Sequence, residues 1–194
     1  LLSRLCEAHR FSGFKLKVLV GEPKIDRKEP DIVVVKEPEE LPILVIETKR
    51  KAKRIARVQF SPYSPHVIGQ ALSYAALMKE MYRIPATPLF ATANSDVLVL
   101  FGPVESPWRF LNKEAVREGD YERALKPGAW LRLSKDYYVF DEMNPLREEF
   151  AANLLDTAVR IWLKKVAVAE VRKPIGWWLI DQLRYFVDFI SRYY

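Results

Sequence analysis

Cys6 is the only cysteine among 194 residues. A single thiol excludes an internal disulfide and any zinc or iron–sulfur site built from cysteines, and it suits a cytoplasmic protein. No apolar run approaches the eighteen or more residues of a membrane span, so no membrane partner is expected. Nothing matches a glycine-rich nucleotide-binding loop, so any ATP-driven motor belongs to another segment or another chain. There is no internal repeat and no low-complexity tract. The chain opens at Leu1 rather than at a methionine, and the expectation is of a fragment or a chain with a disordered start, with any upstream targeting segment out of view.

What is present points to one globular domain, with or without a helical appendage. Apolar residues make up 49% and charged residues 29% of a chain long enough to bury a core. The net charge of +6 and the pI near 9.3 favour an anionic partner, of which nucleic acid is the commonest; a basic host proteome would give the same numbers. Lys, Arg and Glu are plentiful while Gln and Asn are scarce, a bias seen in thermophile proteins.

Along the chain, residues 1–11 read as a short helix, with Leu1, Leu2, Leu5 and Ala8 at helical spacing. Ser12-Gly13 stops it. Residues 14–20 alternate, with Phe14, Leu16 and Val18 on one face and Lys15 and Lys17 on the other, which predicts a strand. The β-branched run 31–35 and the apolar run 43–47 are two further strands, joined by the polar, proline-containing link 36–42. Residues 66–82 form the clearest helix of the first half. Its small residues Gly69, Ala71, Ser73, Ala75 and Ala76 would let it lie close against a sheet. Strands follow at 89–92 and 97–101 around an Asn94-Ser95-Asp96 turn. From 103 to 143 the pattern is weak, with 130–133 and 137–140 readable as paired strands. Residues 145–171 form an amphipathic helix with Phe150, Leu154, Ala158 and Ile161 on one stripe, and Pro174 opens a last helix to about 193.

The two central runs carry the chemistry. In an antiparallel hairpin, opposed residues have a constant summed number. Placing Asp31 opposite Glu47 leaves residues 37–41 as the loop, where the charged, proline-containing residues lie. Side chains alternate along a strand, so Glu47 and Lys49 share a face with Val45 behind them. Two carboxylates and an ammonium then meet at one end of a buried sheet. Buried charges are costly unless they are paired or bind metal, and neighbouring carboxylates raise each other's pKa until a cation relieves them. Oxygen ligands of this kind, with the Thr48 carbonyl as a further one, suit Mg²⁺ or Mn²⁺. Lys49 would stabilise charge at a phosphate.

Pro30-Asp31, a strand, and then Glu47-Thr48-Lys49 resemble the PD-(D/E)xK motif of restriction-endonuclease-like nucleases. Gly69-Gln70-Ala71-Leu72-Ser73-Tyr74 is similar to the Q-x-x-x-Y motif of the RecB-like branch and of the nuclease domain of type I restriction motor subunits. The likeness spans residues 1–102, and the cluster cysteines of the iron–sulfur members are absent. The resemblance implies an α-β-β-β-α-β core with a mixed, mostly antiparallel sheet, and a Mg²⁺- or Mn²⁺-dependent nuclease acting on DNA, either as an endonuclease or from chain ends. It implies that Gln70 and Tyr74 position substrate, and that an acid on the first helix joins the metal site. Glu7 is that candidate, with Glu22 as the other acid that could serve.

Each residue also has a plainer reading. An Asp after Pro at a strand start is commonly a turn residue, and Glu-x-Lys at a strand end an exposed ion pair. The four apolar residues before Glu47 argue instead for a buried strand end. Gln70 and Tyr74 have a polar helix face as their plain alternative, and His66 reads as a capping or surface histidine. The basic run that begins at Lys49 and holds Arg50, Lys51, Lys53, Arg54 and Arg57 is otherwise a solvated loop, but its position beside the proposed lysine favours phosphate contact. Trp177, Trp178, Phe186 and Phe189 read as packing residues, so the last helix is expected to dock on the domain, on a second copy or on a partner subunit. The expected organisation is a nuclease core over 1–102, a mixed β and loop segment over 103–144 packed on it, and a helical extension over 145–194. A nucleic-acid-binding module without catalysis and a structural subunit of a larger DNA-processing complex are the rival readings.

Overall fold

A computed structural model describes residues 1–24, 28–49 and 61–163. The first helix, α1, spans Leu2–Ala8, and the chain reverses through Ser12 and Gly13, both at positive φ. Strand β1 (Leu16–Val20), β2 (Ile32–Lys36) and β3 (Leu41–Thr48) follow as an antiparallel meander. Helix α2 (Pro65–Tyr82) then carries the chain across to β4 (Leu89–Ala93), which pairs parallel to β3. β5 (Leu98–Phe101) returns antiparallel. Asn94 holds the turn between them, its side-chain oxygen accepting from the amides of Asp96 and Val97.

The sheet separates two apolar cores by the alternation of its side chains. Val33, Val35, Val45, Phe90 and Phe101 face the α2 side. Val34, Leu44, Ile46, Ala91 and Leu100 face the other side, which α1 covers with Leu5 and Cys6. Both faces are covered, so the central strands read as unbroken apolar runs rather than alternating ones. Among the described residues no helix is long and apolar enough to cross a membrane.

The β2–β3 hairpin keeps the expected register where it matters and departs from it near its loop. Ile32 pairs with Ile46, Val33 with Val45 and Val34 with Leu44; beyond an irregularity, Val35 pairs with Pro42 and Lys36 with Leu41. One extra residue, Ile43, is absorbed there as a bulge, so Ile43 and Leu44 both enter the α1-side core. Leu41 therefore belongs to the strand, and the loop is one residue shorter than the 37–41 expected. Pro42 is tolerated because β4 pairs with β3 only from Leu44 onward, leaving no ladder bond on that side for a missing N–H to break.

Residues 103–143 carry more helix than expected. After a 3₁₀ turn at Pro107–Arg109 come α3 (Lys113–Glu118), α4 (Tyr121–Ala124) and α5 (Ala129–Asp136). The strand expected at 130–133 is helix α5: Trp130 and Leu133 are buried together on one helical face while Leu131 is exposed. The strand at 137–140 does form, as β6 (Tyr138–Met143), but it pairs with β5 and completes a six-stranded sheet in chain order. Helix α6 (Glu148–Trp162) lays Leu154, Ala158 and Ile161 into the α1-side core, so it packs as a layer of the domain. The final helix expected from Pro174, with Trp177, Trp178, Phe186 and Phe189, lies outside the described residues.

The architecture is thus a mixed, mostly antiparallel sheet flanked by helices on both faces, beginning α-β-β-β-α-β. Phe101 ties its far half together. Its ring stacks on Phe90 at 4.8 Å and meets Trp130 and Tyr138 edge-on at 6.0 and 5.9 Å. Phe101→Ala should lower unfolding free energy by about 3–5 kcal/mol, read as a lower urea midpoint at unchanged slope. A loss below about 1 kcal/mol would mean that α5 and β6 do not depend on this contact.

Candidate active site

One step past the Ile32–Ile46 pair, the hairpin register brings Asp31 opposite Glu47. The Asp31 backbone carbonyl accepts from the amide of Gly21, which holds the residue at the end of β1. Its side chain is fixed from the other strand: Asp31 Oδ2 accepts from the Thr48 amide at 2.6 Å and from the Thr48 hydroxyl at 2.8 Å. Both donors fall on the same oxygen, Oδ2.

Glu47 shares the α2-facing side of β3 with Val45, and it is 2% exposed. Lys49 Nζ donates to Glu47 Oε1 at 2.5 Å and to Gln70 Oε1 at 2.9 Å. Glu47 Oε2 is buried with no hydrogen-bond partner. Burial pushes the Glu47 pKa up to about 7, the negative charge of Asp31 adds to the rise, and Lys49 opposes both. Beyond Lys49, its amide donates to the Ala93 carbonyl at 2.8 Å, extending the β3–β4 pairing past the strand's end.

Helix α2 supplies the next members. Gln70 and Tyr74 lie one turn apart, and Gln70 Nε2 donates to the Tyr74 hydroxyl at 3.1 Å. Gln70 thus bridges the lysine and the buried tyrosine. Tyr121, on α4, is a residue that sequence reading missed. Its hydroxyl donates to that of Tyr74 at 3.3 Å, and the two rings meet edge-on at 5.9 Å. Burial pushes the Tyr121 pKa up, and its bond to Tyr74 and the charge of Glu47 push the same way. No motif marks it, because it enters from a segment whose pattern is weak.

The structure therefore brings together Asp31, Glu47, Thr48, Lys49, Gln70 and Tyr74. It does not bring Glu7 to them. Glu7 is exposed on α1, whose buried residues Leu5 and Cys6 belong to the core on the opposite side of the sheet from Tyr74. Glu22 is likewise exposed, just past β1. His66 is half-buried in the first turn of α2. Arg50, Lys51, Lys53, Arg54 and Arg57 lie outside the described residues.

The donor set fits a hard divalent cation of the Mg²⁺ or Mn²⁺ kind. The orphaned Glu47 Oε2 is a buried anionic oxygen that a cation would satisfy, and Asp31 keeps one oxygen without a Thr48 donor. Among the described residues no group of three or more His, Cys, Asp or Glu comes together. Two carboxylates with water, a backbone carbonyl and phosphate oxygens are the set such ions accept, whereas zinc favours more nitrogen or sulfur.

The burial of Glu47 also fixes a pH dependence of stability. The folded chain holds its proton up to about pH 7, against an ordinary value of 4.5. Between those values the folded state binds more protons, so the Glu47 contribution to stability falls as pH rises and is lowest above about 7. Glu47→Gln should accordingly raise stability by about 1–3 kcal/mol near pH 8 without added metal. The gain should vanish near pH 4. A gain of equal size at both pH values would sink the idea that a buried charge is the cause.

No family model matches the chain, and no curated protein matches it. A solved structure, the type IIG restriction endonuclease BpuSI, is similar to this chain at 13% identity with a TM-score of 0.44. The match covers 78% of this chain and 14% of that one, so the chain spans a small part of that protein's length.

Proposed function

We propose that this chain is a nuclease that hydrolyses phosphodiester bonds in DNA with Mg²⁺ or Mn²⁺ bound at Asp31 and Glu47. The observation that carries the reading is the buried Glu47 carboxylate, one oxygen unpartnered, placed beside Asp31 and against Lys49 at the end of the β2–β3 hairpin. A structural ion pair would satisfy both oxygens or sit in water; here the polar groups converge around a buried carboxylate oxygen that none of them satisfies. The likeness of Pro30-Asp31, Glu47-Thr48-Lys49 and Gln70…Tyr74 to the nuclease motifs supports the same reading.

Bound there, the cation would activate water and neutralise charge on the scissile phosphate. The protein groups do the rest. Asp31 is held in one rotamer by Thr48, and Glu47 by Lys49 and the strand, so the ligand oxygens are set before substrate arrives. The Lys49 ammonium stands where negative charge builds on the phosphoryl oxygens, and Gln70 holds it there. The basic residues at 50, 51, 53, 54 and 57 would contact the DNA backbone, which attaches the substrate without reading its sequence.

Two experiments test this. Labelled linear and circular DNA, with RNA as a comparison, is incubated with the full chain and Mg²⁺, Mn²⁺ or EDTA. Cutting should require the metal and fall at least about a hundredfold in Glu47→Ala and in Lys49→Met. Appearance of linear product from the circle would establish internal cutting. Wild type and Glu47→Ala that bind DNA equally and are both inert with either metal would favour a binding module instead. In the second experiment, Mn²⁺ binding is followed by calorimetry across pH. The cation competes with the Glu47 proton, so affinity should rise with pH towards about 7 and level off above it, with protons released on binding. An affinity that does not change with pH would remove Glu47 from the ligand set.

A further inference from the structure

The hydrogen-bonded chain from the site runs on past the residues that the motifs mark. Lys49 donates to Gln70, Gln70 to Tyr74, and Tyr121 closes the line from α4. Gln70 has an amide with two different ends. Its oxygen must face Lys49 to hold the ammonium, and that requires its nitrogen to find an acceptor on the other side. Tyr74 is that acceptor, and it is 4% exposed, so no bulk water sets the direction of its hydroxyl. Tyr121 is the group that sets it: by donating to the Tyr74 oxygen, it holds that oxygen in place for Gln70.

The packing around Tyr121 is built for this approach. Gly69 precedes Gln70 on α2 and faces the end of α4. A Cβ added there would meet Leu125 Cβ at 3.2 Å and the Leu125 amide nitrogen at 3.3 Å. The glycine therefore serves the contact with α4, where the sequence alone had suggested contact with the sheet. Asp120 caps α4, its side chain accepting from the Arg123 amide, and the bridge between Leu111 and Leu125 holds the other end. A four-residue helix fixed at both ends presents one tyrosine to the site.

The geometry points to Tyr121 as a positioning residue that orients Tyr74 and Gln70, and through them Lys49, for the proposed hydrolysis. This rests on the nuclease reading and extends it to a segment outside the motif-bearing half of the chain. Tyr121 hydrogen-bonds to Tyr74 rather than to Asp31, Glu47 or Lys49, so its effect belongs in the rate of the chemical step rather than in DNA affinity.

The test is a double-variant cycle in the full chain, using single-turnover cleavage of duplex DNA with Mg²⁺ at saturating protein, together with DNA affinity measured separately. Tyr121→Phe keeps the ring contact and removes one hydroxyl. It should slow cleavage about threefold to tenfold with affinity unchanged. Because Tyr121 acts through Tyr74, adding Tyr121→Phe to Tyr74→Phe should change the rate less than about twofold. Gly69→Ala supplies a second route: it pushes α4 away without altering a hydroxyl, and its loss of rate should disappear in the Tyr121→Phe background. A Tyr121→Phe rate equal to wild type, or losses that multiply independently in the double variant, overturns the positioning role and leaves the nuclease reading standing. A wild type that never cleaves overturns both.

Discussion

Everything at this site depends on a carboxylate placed where solvent cannot reach it. Glu47 is 2% exposed on a central strand, and a charge so placed destabilises the fold unless other groups answer it. Lys49 answers one oxygen, at 2.5 Å. The other is left without a partner, and Asp31 across the hairpin adds a second negative charge nearby. The site is thus held in deficit: the fold keeps a half-answered carboxylate at a position that a hydrophobic residue would fill at no electrostatic cost. Under the proposed function a cation would remove that deficit, so the feature that weakens the fold would also supply the affinity for the ion. Local strain of this kind is retained where binding uses it.

The surroundings are arranged so that this deficit does not spread. Thr48 ties Asp31 to β3 with two donors, the Lys49 amide continues the β3–β4 ladder, and Thr92, which pairs with Glu47, donates its hydroxyl to the Pro62 carbonyl at 2.6 Å. The last two bonds have a second effect. They pin the chain on both sides of residues 50–60, at Lys49 and at Pro62, to adjacent positions of one strand, Ala93 and Thr92.

The hairpin is legible in the sequence because two apolar runs flank one polar, proline-containing link, which fixes where the chain turns. The constant sum of paired residue numbers then follows from the loop. Its small error, Leu41 in the strand instead of the loop, comes from a bulge, which inserts a residue without changing the apolar pattern of its neighbours. Helix α5 is misread because Trp130, Leu131, Arg132 and Leu133 fit an alternating and a helical period equally well over four residues. The better signals in that segment are polar: Asn112 caps α3, Gly119 ends it in the left-handed region, and Asp120 caps α4. Read as caps, they mark two short helices. Nothing local marks Tyr121 as part of the site, since its partner is 47 residues away and tertiary contact alone joins them. Glu7 shows the opposite limit: an acid on the right helix by order in the chain lies exposed beyond the other core, because helix order does not say which way a helix is turned.

Why the three parts of the site meet follows from the position of β3 in the sheet. It has an antiparallel neighbour, β2, on one side and a parallel neighbour, β4, on the other. The antiparallel neighbour brings Asp31 back beside Glu47 across a tight loop. The parallel neighbour cannot be reached by a tight loop; it demands a crossover, here helix α2, which must cover one face of the sheet. That face is the one to which Val45 belongs and which Glu47 and Lys49 share by alternation. The helix that sheet topology requires is therefore the helix that meets the lysine, and Gln70, 21 residues after Lys49, is in place to accept from it. Two short motifs, far apart in the chain, are brought together by the switch from antiparallel to parallel pairing at a single strand. A change that preserved every motif residue but reversed that switch would send the crossover to the wrong side and leave Lys49 without its second partner.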